Sequence, residues 1–245
     1  MDPLTLAAFL FVVALGAYVQ TVTGFALGLI VMGGITLFDL APVAFTAVVV
    51  SFTALSNNFL ALHRALHLID RRAVGYTLIG MLPAVYLGVL LLEQLHSTSV
   101  ETLRMILGGV ILAGGVLLAL RPHPRPVRAA GWVDAGIGVA GGILAGMFAI
   151  GGPPLVFHFY RQPLQLPVIR ATLLATFAVA TATRLLYVGL EGDIDLSMLQ
   201  LSVLCLPVVF LATFIGRRYP PPLPDLAMRR FAFALLGLIG LMLLI

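Results

Sequence analysis

Charge is what this sequence has least of. Asp, Glu, Lys and Arg make up 10% of its 245 residues, against 61% hydrophobic residues and a mean hydropathy of +1.11. Soluble domains carry about 25% charged residues, so the balance excludes a soluble globular chain and indicates an integral membrane protein. Residues 3–38, 40–63, 73–92, 105–120, 135–160 and 196–216 hold no charged side chain, and a membrane helix needs about 20 apolar residues. Long polar connections are missing as well, which leaves no room for a soluble catalytic or nucleotide-hydrolysing domain and excludes a self-contained ATP-driven pump. Lysine is absent: all 14 basic residues are arginine, a trait of genome composition, so the pI near 9.7 does not point to a nucleic-acid partner. The single cysteine, Cys205, excludes an internal disulfide and a CxxC relay. Met1-Asp2-Pro3 offers neither a basic n-region nor a cleavage site, so the first apolar segment is expected to stay in the mature protein. HExxH, P-loop and Ser-His-Asp patterns are absent. With no nucleophile paired to a base and no opposed histidines for haem, an intramembrane enzyme or cofactor-carrying subunit lacks its parts, and no cofactor is expected. His63 and His67 have the i, i+4 spacing of metal ligands, but no third ligand is nearby and no metal site is expected.

What the chain does contain is a duplication. Phe25-Ala26-Leu27-Gly28 recurs as Phe148-Ala149-Ile150-Gly151, Ile69-Asp70 as Ile194-Asp195, and Leu82-Pro83-Ala84-Val85-Tyr86-Leu87 as Leu206-Pro207-Val208-Val209-Phe210-Leu211. Pro42 answers Pro167, and Leu103-Arg104 answers Met228-Arg229. The first repeat covers residues 1–122 and the second 130–245, joined by a cytoplasmic linker at 121–129 whose prolines and arginines can neither continue a helix nor sit in lipid. Each half has a long apolar segment interrupted by glycine, followed by three helices. If each interrupted segment crosses the membrane once, the arginines divide evenly between the two sides. If each turns back as a hairpin, all but Arg104 and Arg184 fall on one side, which the positive-inside rule makes the cytoplasm. The hairpin reading therefore stands. It predicts an all-α membrane protein of two inverted-topology repeats, each a Gly-broken hairpin plus three transmembrane helices, with both termini outside the inner membrane. Inverted repeats with broken helices are a transporter architecture.

The breaks carry the chemistry. They read Gln20-Thr21-Val22-Thr23-Gly24-Phe25-Ala26-Leu27-Gly28 and Gly146-Met147-Phe148-Ala149-Ile150-Gly151-Gly152-Pro153-Pro154. Unpaired backbone groups in lipid cost several kcal/mol each, in order of magnitude, so a break implies a cavity that satisfies them. Pro153 and Pro154 suit the first turn of a restarted helix, and Thr23 is the expected N-cap of the other. Two half-helix N-termini pointing at the protein centre favour an anion there. The alternative use of Gly24, Gly28, Gly146, Gly151 and Gly152 is close helix packing; two matched Gly-rich breaks, one followed by Pro-Pro, favour a substrate site.

On these features the chain resembles the TauE/SafE family of sulfite and organosulfonate exporters over nearly its whole length: the duplicated architecture, the Gly-Phe-Ala-Leu-Gly turn at residues 24–28, and Gly146 through Pro154. The first turn departs from the family's richer glycine run at Ala26 and Leu27. The resemblance implies transport of small sulfur-containing or carboxylate anions.

The helix after each hairpin adds neutral polar groups. Ser51, Ser56, Asn57 and Asn58 lie in the first, and Thr172, Thr176, Thr181, Thr183 and Arg184 in the second; Ser51 matches Thr176, and Asn58 matches Thr183. Seven residues apart, Ser51 and Asn58 share one face of their helix, as Thr176 and Thr183 do of theirs, and a hydroxyl or amide at mid-depth serves either a desolvated oxyanion or interhelical contact. Arg184 sits near Tyr187, Glu191, Asp193 and Asp195, which favours an arginine reaching to the interface over one that pairs with a bound sulfonate. Phe25 and Phe148 are gate or core, and His158 is a packed imidazole or a titratable group. The predicted substrate site thus gathers Thr21, Thr23, Gly24, Phe25, Gly28, Ser51, Asn57, Asn58, Gly146, Gly151, Gly152, Pro153, Thr176, Thr183 and Arg184. Asp39, Glu93 and Asp134 stand at segment ends, so no carboxylate is expected at membrane depth, and a monoanion would cross electrogenically. The partners implied are a small anion and the lipid bilayer; a homo-oligomer is compatible with the sequence. The function read is a secondary transporter that exports a small anion by alternating access, with an anion channel or an uptake system as alternatives.

Overall fold

In an apolar segment the backbone can find hydrogen-bond partners only within itself, so each segment closes into helix. The structure, a computed structural model, describes residues 1–23, 26–62, 65–119, 125–219 and 225–245. His63, Arg64 and residues 121–124 of the linker lie outside these, as do the side chains of Arg217, Arg229 and Arg230. The helices are α1 (Pro3–Thr23), α2 (Leu27–Leu37), α3 (Val43–Leu62), α4 (Arg71–Thr98), α5 (Val100–Ala119), α6 (Gly131–Phe148), α7 (Gly152–Tyr160), α8 (Leu166–Glu191), α9 (Leu196–Arg218) and α10 (Asp225–Leu244), with a 3-10 turn at Leu66–Leu68. No strand occurs among the described residues. Six segments are long and apolar enough to cross a bilayer: Pro3–Thr21, Arg71–His96, Val100–Leu117, Gly131–Phe148, Leu166–Glu191 and Leu196–Gly216. Their outer faces carry Phe11, Ile79, Leu186, Val203 and Phe214, all more than half exposed, an apolar belt that lipid covers. The chain is a multi-pass membrane protein.

Both interrupted segments fold back on themselves. A side chain at Gly16 on α1 would touch Leu27 and Val31 on α2, and one at Gly34 would touch Val12. In the second segment, a Cβ at Gly141 on α6 would meet Leu155 on α7 at 2.7 Å.

The tightest helix pair is α4 with α6. Gly80, Ala84 and Gly88 face Gly138, Gly142 and Gly146 at a four-residue period on both helices. A methyl group at Gly80, Gly88, Gly138 or Gly146 would lie on the carbonyl oxygen of Ala135, Ile143, Thr77 or Val85. This is the small-residue packing by which membrane helices approach one another.

One end of the bundle is tied together by polar contacts. Asp70 caps α4 by accepting from Ala73 N–H at 3.0 Å and pairs with Arg128 at 2.5 Å, while its own N–H donates to Thr172 Oγ1 at 3.0 Å. Arg125 N–H donates to Arg161 O at 2.7 Å. Burial alone would raise the Asp70 carboxyl, but the Arg128 hydrogen bond and charge and the Ala73 N–H outweigh it and hold it below the usual carboxylate range. At the opposite end Glu93, His96, Asp193 and Asp195 line a common depression.

Candidate functional site

The two hairpin tips meet. A Cβ on Gly28, in the first turn of α2, would sit 3.1 Å from Ala149 O and 3.4 Å from Ile150 Cγ1. Between the tips lies a cavity of about 70 Å³ lined by Gln20, Ala26, Gly28, Asn58, Ala149, Gly151, Gly152 and Thr181, among others. A water molecule needs roughly 10–15 Å³ on this measure, so the cavity has room for about five to seven water-sized groups, the scale of a small anion.

Its polar side chains, Gln20, Asn58 and Thr181, stand beside the starts of the two restarted helices. First-turn N–H groups lack intrahelical partners. At α7 the donors are Gly151 and Gly152, neither with a partner among the described residues, because Pro153 and Pro154 have no N–H. Gly152 opens onto the cavity: nothing lies within 4 Å of where its Cβ would be. At α2 the N-cap position is Ala26, left-handed at φ 95, and Leu27 N–H donates to Gln20 Oε1 at 3.1 Å. The expectation that Thr23 caps this helix is therefore corrected: α1 continues through Thr23, and Gln20 reaches over from one turn earlier. Gln20 stands at the head of the first break, and nothing in its spacing signals this role. The Ala149 backbone is left-handed too, at φ 55, so equivalent alanines turn both tips.

The remaining expected site residues divide. Gly28, Asn58, Gly151 and Gly152 line the cavity. Thr21 and Asn57 line an adjoining vestibule of about 320 Å³ together with Tyr160, Arg170 and Thr213. Thr21 Oγ1 donates to Ala17 O at 2.8 Å, and Asn57 Oδ1 accepts from Thr213 Oγ1 at 3.5 Å. Gln20, Leu174 and Phe177 line both spaces, so the cavity and this vestibule adjoin. Gly146 serves the α4–α6 contact rather than the cavity lining, and Pro153 packs against Gly114 of α5. Thr176 is buried, with its hydroxyl on Thr172 O at 2.8 Å, and Thr183 turns its hydroxyl to Val179 O at 2.9 Å. Phe148 is core, 0% exposed. Gly24 and Phe25 lie outside the described residues, as does the side chain of Thr23.

Arg184 does not reach an interface. It is 1% exposed; Nε donates to Gly146 O at 2.9 Å and Nη1 to Ser51 Oγ at 3.2 Å, while Ser51 donates onward to Ala47 O at 2.7 Å. No carboxylate accompanies it among the described residues. Arg184 forms part of the floor of a second vestibule of about 400 Å³, whose lining includes Glu93, Asp193 and Asp195. Along α8 the order is Arg170 at the first vestibule, Ala180 and Thr181 at the cavity, then Arg184 and Val188 at the second. On α8 the Arg184–Ser51 bond thus lies one turn beyond cavity-lining Thr181, at the edge of the acidic vestibule. Sequence spacing could not foresee this, since Ser51 lies 133 positions away.

Asp134 stands at a segment end, in the first turn of α6, but it is not exposed there. Asp134, in the span Gly131–Phe148, is 4% exposed and lies 2.7 Å from His158 Nε2, itself 5% exposed. α7, folding back over the start of α6, supplies the cover and the partner.

The profile of the family described as "Sulfite exporter TauE/SafE" matches residues 8–243. The chain is 46% identical over 225 residues, 92% of its length and 88% of the relative's, to a protein of Cupriavidus necator named "Probable sulfite/organosulfonate exporter TauE". It is 30% identical over 173 residues, 69% of its length and 70% of the relative's, to a Comamonas testosteroni protein named "Probable inner membrane transporter protein TsaS". No solved structure matches it.

Proposed function

On the premise that the chain belongs to the TauE/SafE sulfite exporter family, and is therefore a membrane transporter and not an enzyme, we propose that it exports a small anion by alternating access. The anion is sulfite, an organosulfonate or a related carboxylate, the membrane is the bacterial inner membrane, and the site is the cavity between the hairpin tips. The observation that carries this reading is that cavity itself: sized for a small anion and lined by the starts of both restarted helices, Gly28 of α2 and Gly151 and Gly152 of α7.

The two halves, 1–122 and 130–245, form inverted repeats around it. What supports this is the contact pattern, in which α1 on α9 answers α6 on α4, α3 on α9 answers α8 on α4, and α2 on α10 answers α7 on α5. Alternating access, rather than an open channel, is supported by the cavity sharing lining residues with one vestibule and none with the other. Export is supported by the charges along the route. Arg170 at the arginine-rich, cytoplasmic side draws anions in, whereas Glu93, Asp193 and Asp195 at the far mouth repel an anion that would enter from outside.

The test is a flux and thermal-shift screen of sulfite, sulfonates and small carboxylates on wild type, Gly152→Leu and Gly237→Leu. The leucine at 152 fills the cavity and should abolish binding and flux, while melting stays within a few degrees of wild type. Gly237, on a terminal helix, has nothing within 4 Å of its Cβ position and is the control. Gly240 is unsuitable because a Cβ there would stand 2.6 Å from Leu112 N. Equal loss in both variants, at equal folding, would sink the site assignment.

A further inference from the structure

Asp134 and His158 join the two arms of the second hairpin, Asp134 in the first turn of α6 and His158 in the last turn of α7. His158 Nε2 has two neighbours: Asp134 Oδ1 at 2.7 Å and Gln162 Nε2 at 3.0 Å. The orientation of the Gln162 amide is fixed, since its Oε1 accepts from Ala129 N–H at 3.0 Å, leaving the NH2 group towards the imidazole. An imidazole nitrogen either donates one bond or accepts one. With both ring nitrogens protonated, His158 donates from Nε2 to Asp134, the pair is net neutral and the Gln162 donor is idle. Once the Nε2 proton leaves and Nδ1 keeps its own, Nε2 accepts from Gln162 instead. Both protonation states therefore have a hydrogen bond ready, and the site alternates between net neutral and net minus one.

We propose that Asp134 and His158, with Gln162 as the alternate donor, form a proton-binding site coupled to the anion cavity, so that the anion crosses together with a proton. This rests on the transport reading above. The coupling is electrostatic and short-range. His158 is six residues along α7 from Gly152, roughly 9 Å at 1.5 Å per residue, so an anion at the cavity disfavours the unprotonated, negative state of the pair and draws a proton onto it.

No other charged group occupies the pair. From α4, Asp70 is held by Arg128, and Arg72 lies over Tyr76; beside α6, Arg125 meets Arg161 through the main chain. Arg161, at the end of α7, lies over Phe157, while on α8 Arg170 lines the vestibule and Arg184 is held by Gly146 and Ser51. The described part of α3 carries no charged side chain, and the charges of α5, Glu101 and Arg104, stand in its first turns at the opposite end.

The test uses the full chain in proteoliposomes with a trapped pH dye, weak buffer and an inward gradient of methanesulfonate, which is ionised at every pH used, or of sulfite. Wild type should acidify the lumen as the anion enters. Its anion flux should change less than twofold when a potassium-valinomycin potential of either sign is imposed. Asp134→Asn and His158→Gln should lose the acidification. For sulfite, whose own protonation moves lumen pH, the readout is the difference between wild type and Asp134→Asn. Anion affinity by thermal shift should weaken at least threefold from pH 6 to pH 8 in wild type and stay flat in Asp134→Asn, a difference that a merely structural pair would not produce. Wild-type flux that accelerates severalfold with potential and leaves lumen pH unchanged overturns the proposal, as does acidification that survives in both variants. Absence of flux and of thermal shift with either anion in wild type is a different failure, that of the transport reading itself.

Discussion

Ala26 and Ala149 hold equivalent places in the two breaks, and both are left-handed, at φ 95 and 55. For a residue with a Cβ that conformation costs about 1–2 kcal/mol, and its recurrence at both tips ties the strain to the turn that shapes the cavity. The sequence points elsewhere, to the neighbouring glycines, because glycine is the ordinary occupant of such positions. Gly151, at φ −83, is not left-handed. The Asp70–Arg128 pair supplies a prediction on the same scale. The folded carboxyl is held low, so its stabilisation is fully present above the unfolded value of about 3.9 and is lost as pH falls through the lower folded one. Arg128→Ala should cost roughly 0.5–1 kcal/mol at pH 7, the range for a partly exposed pair. Thermal melting in detergent between pH 7 and pH 3 checks this. The gap between variant and wild type should close as the carboxyl protonates, and a gap independent of pH would mean that Arg128 acts through packing.

For elements, the instructive case is the α4–α6 contact. Gly142→Leu would press a side chain against the Met81 backbone, where a Cβ alone already meets Met81 Cα at 3.1 Å and Ala84 Cβ at 2.7 Å. Overpacking of this kind costs about 1–3 kcal/mol or more, so melting should fall by several degrees. Gly136→Leu on the same helix, with open space around it, should be neutral or slightly stabilising; equal losses would refute the packing account. Most element types and breaks were legible in the sequence, since charge-free runs and the Gly-Gly-Pro-Pro start of α7 have direct physical meaning. The division of labour among the glycines was not. A packing glycine and a cradle glycine both work by lacking a Cβ, and only the neighbour's position separates Gly146, against α4, from Gly152, open to the cavity. The burial of Asp134 was hidden for a related reason: its partner His158 is 24 residues on and arrives only when the hairpin closes.

At the scale of the whole molecule, the placement of arginine along the chain is enough to divide the loops into two sides, because lipid makes charge placement a global property. Residues 121–128 and 217–229 are predicted to face the cytoplasm, and 93–101 and 191–195 the outside. Single cysteines at Arg125 and Asp193, in a Cys205→Ala background, test this with an impermeant thiol reagent on intact cells. Position 193 should label and position 125 should not; the reverse would overturn the orientation.

The glycine seam between α4 and α6 has a mechanical consequence. By sequence offset, its counterpart, α1 against α9, has Leu204, Val208 and Ala212 where α4 has Gly80, Ala84 and Gly88, and Leu15 and Val19 where α6 has Gly138 and Gly142. Backbones locked at near-contact resist shear, whereas layers of branched side chains can slide past one another by changing rotamers. The second hairpin is therefore held against α4 through backbone contacts that the positions equivalent by sequence on α1 and α9 do not offer.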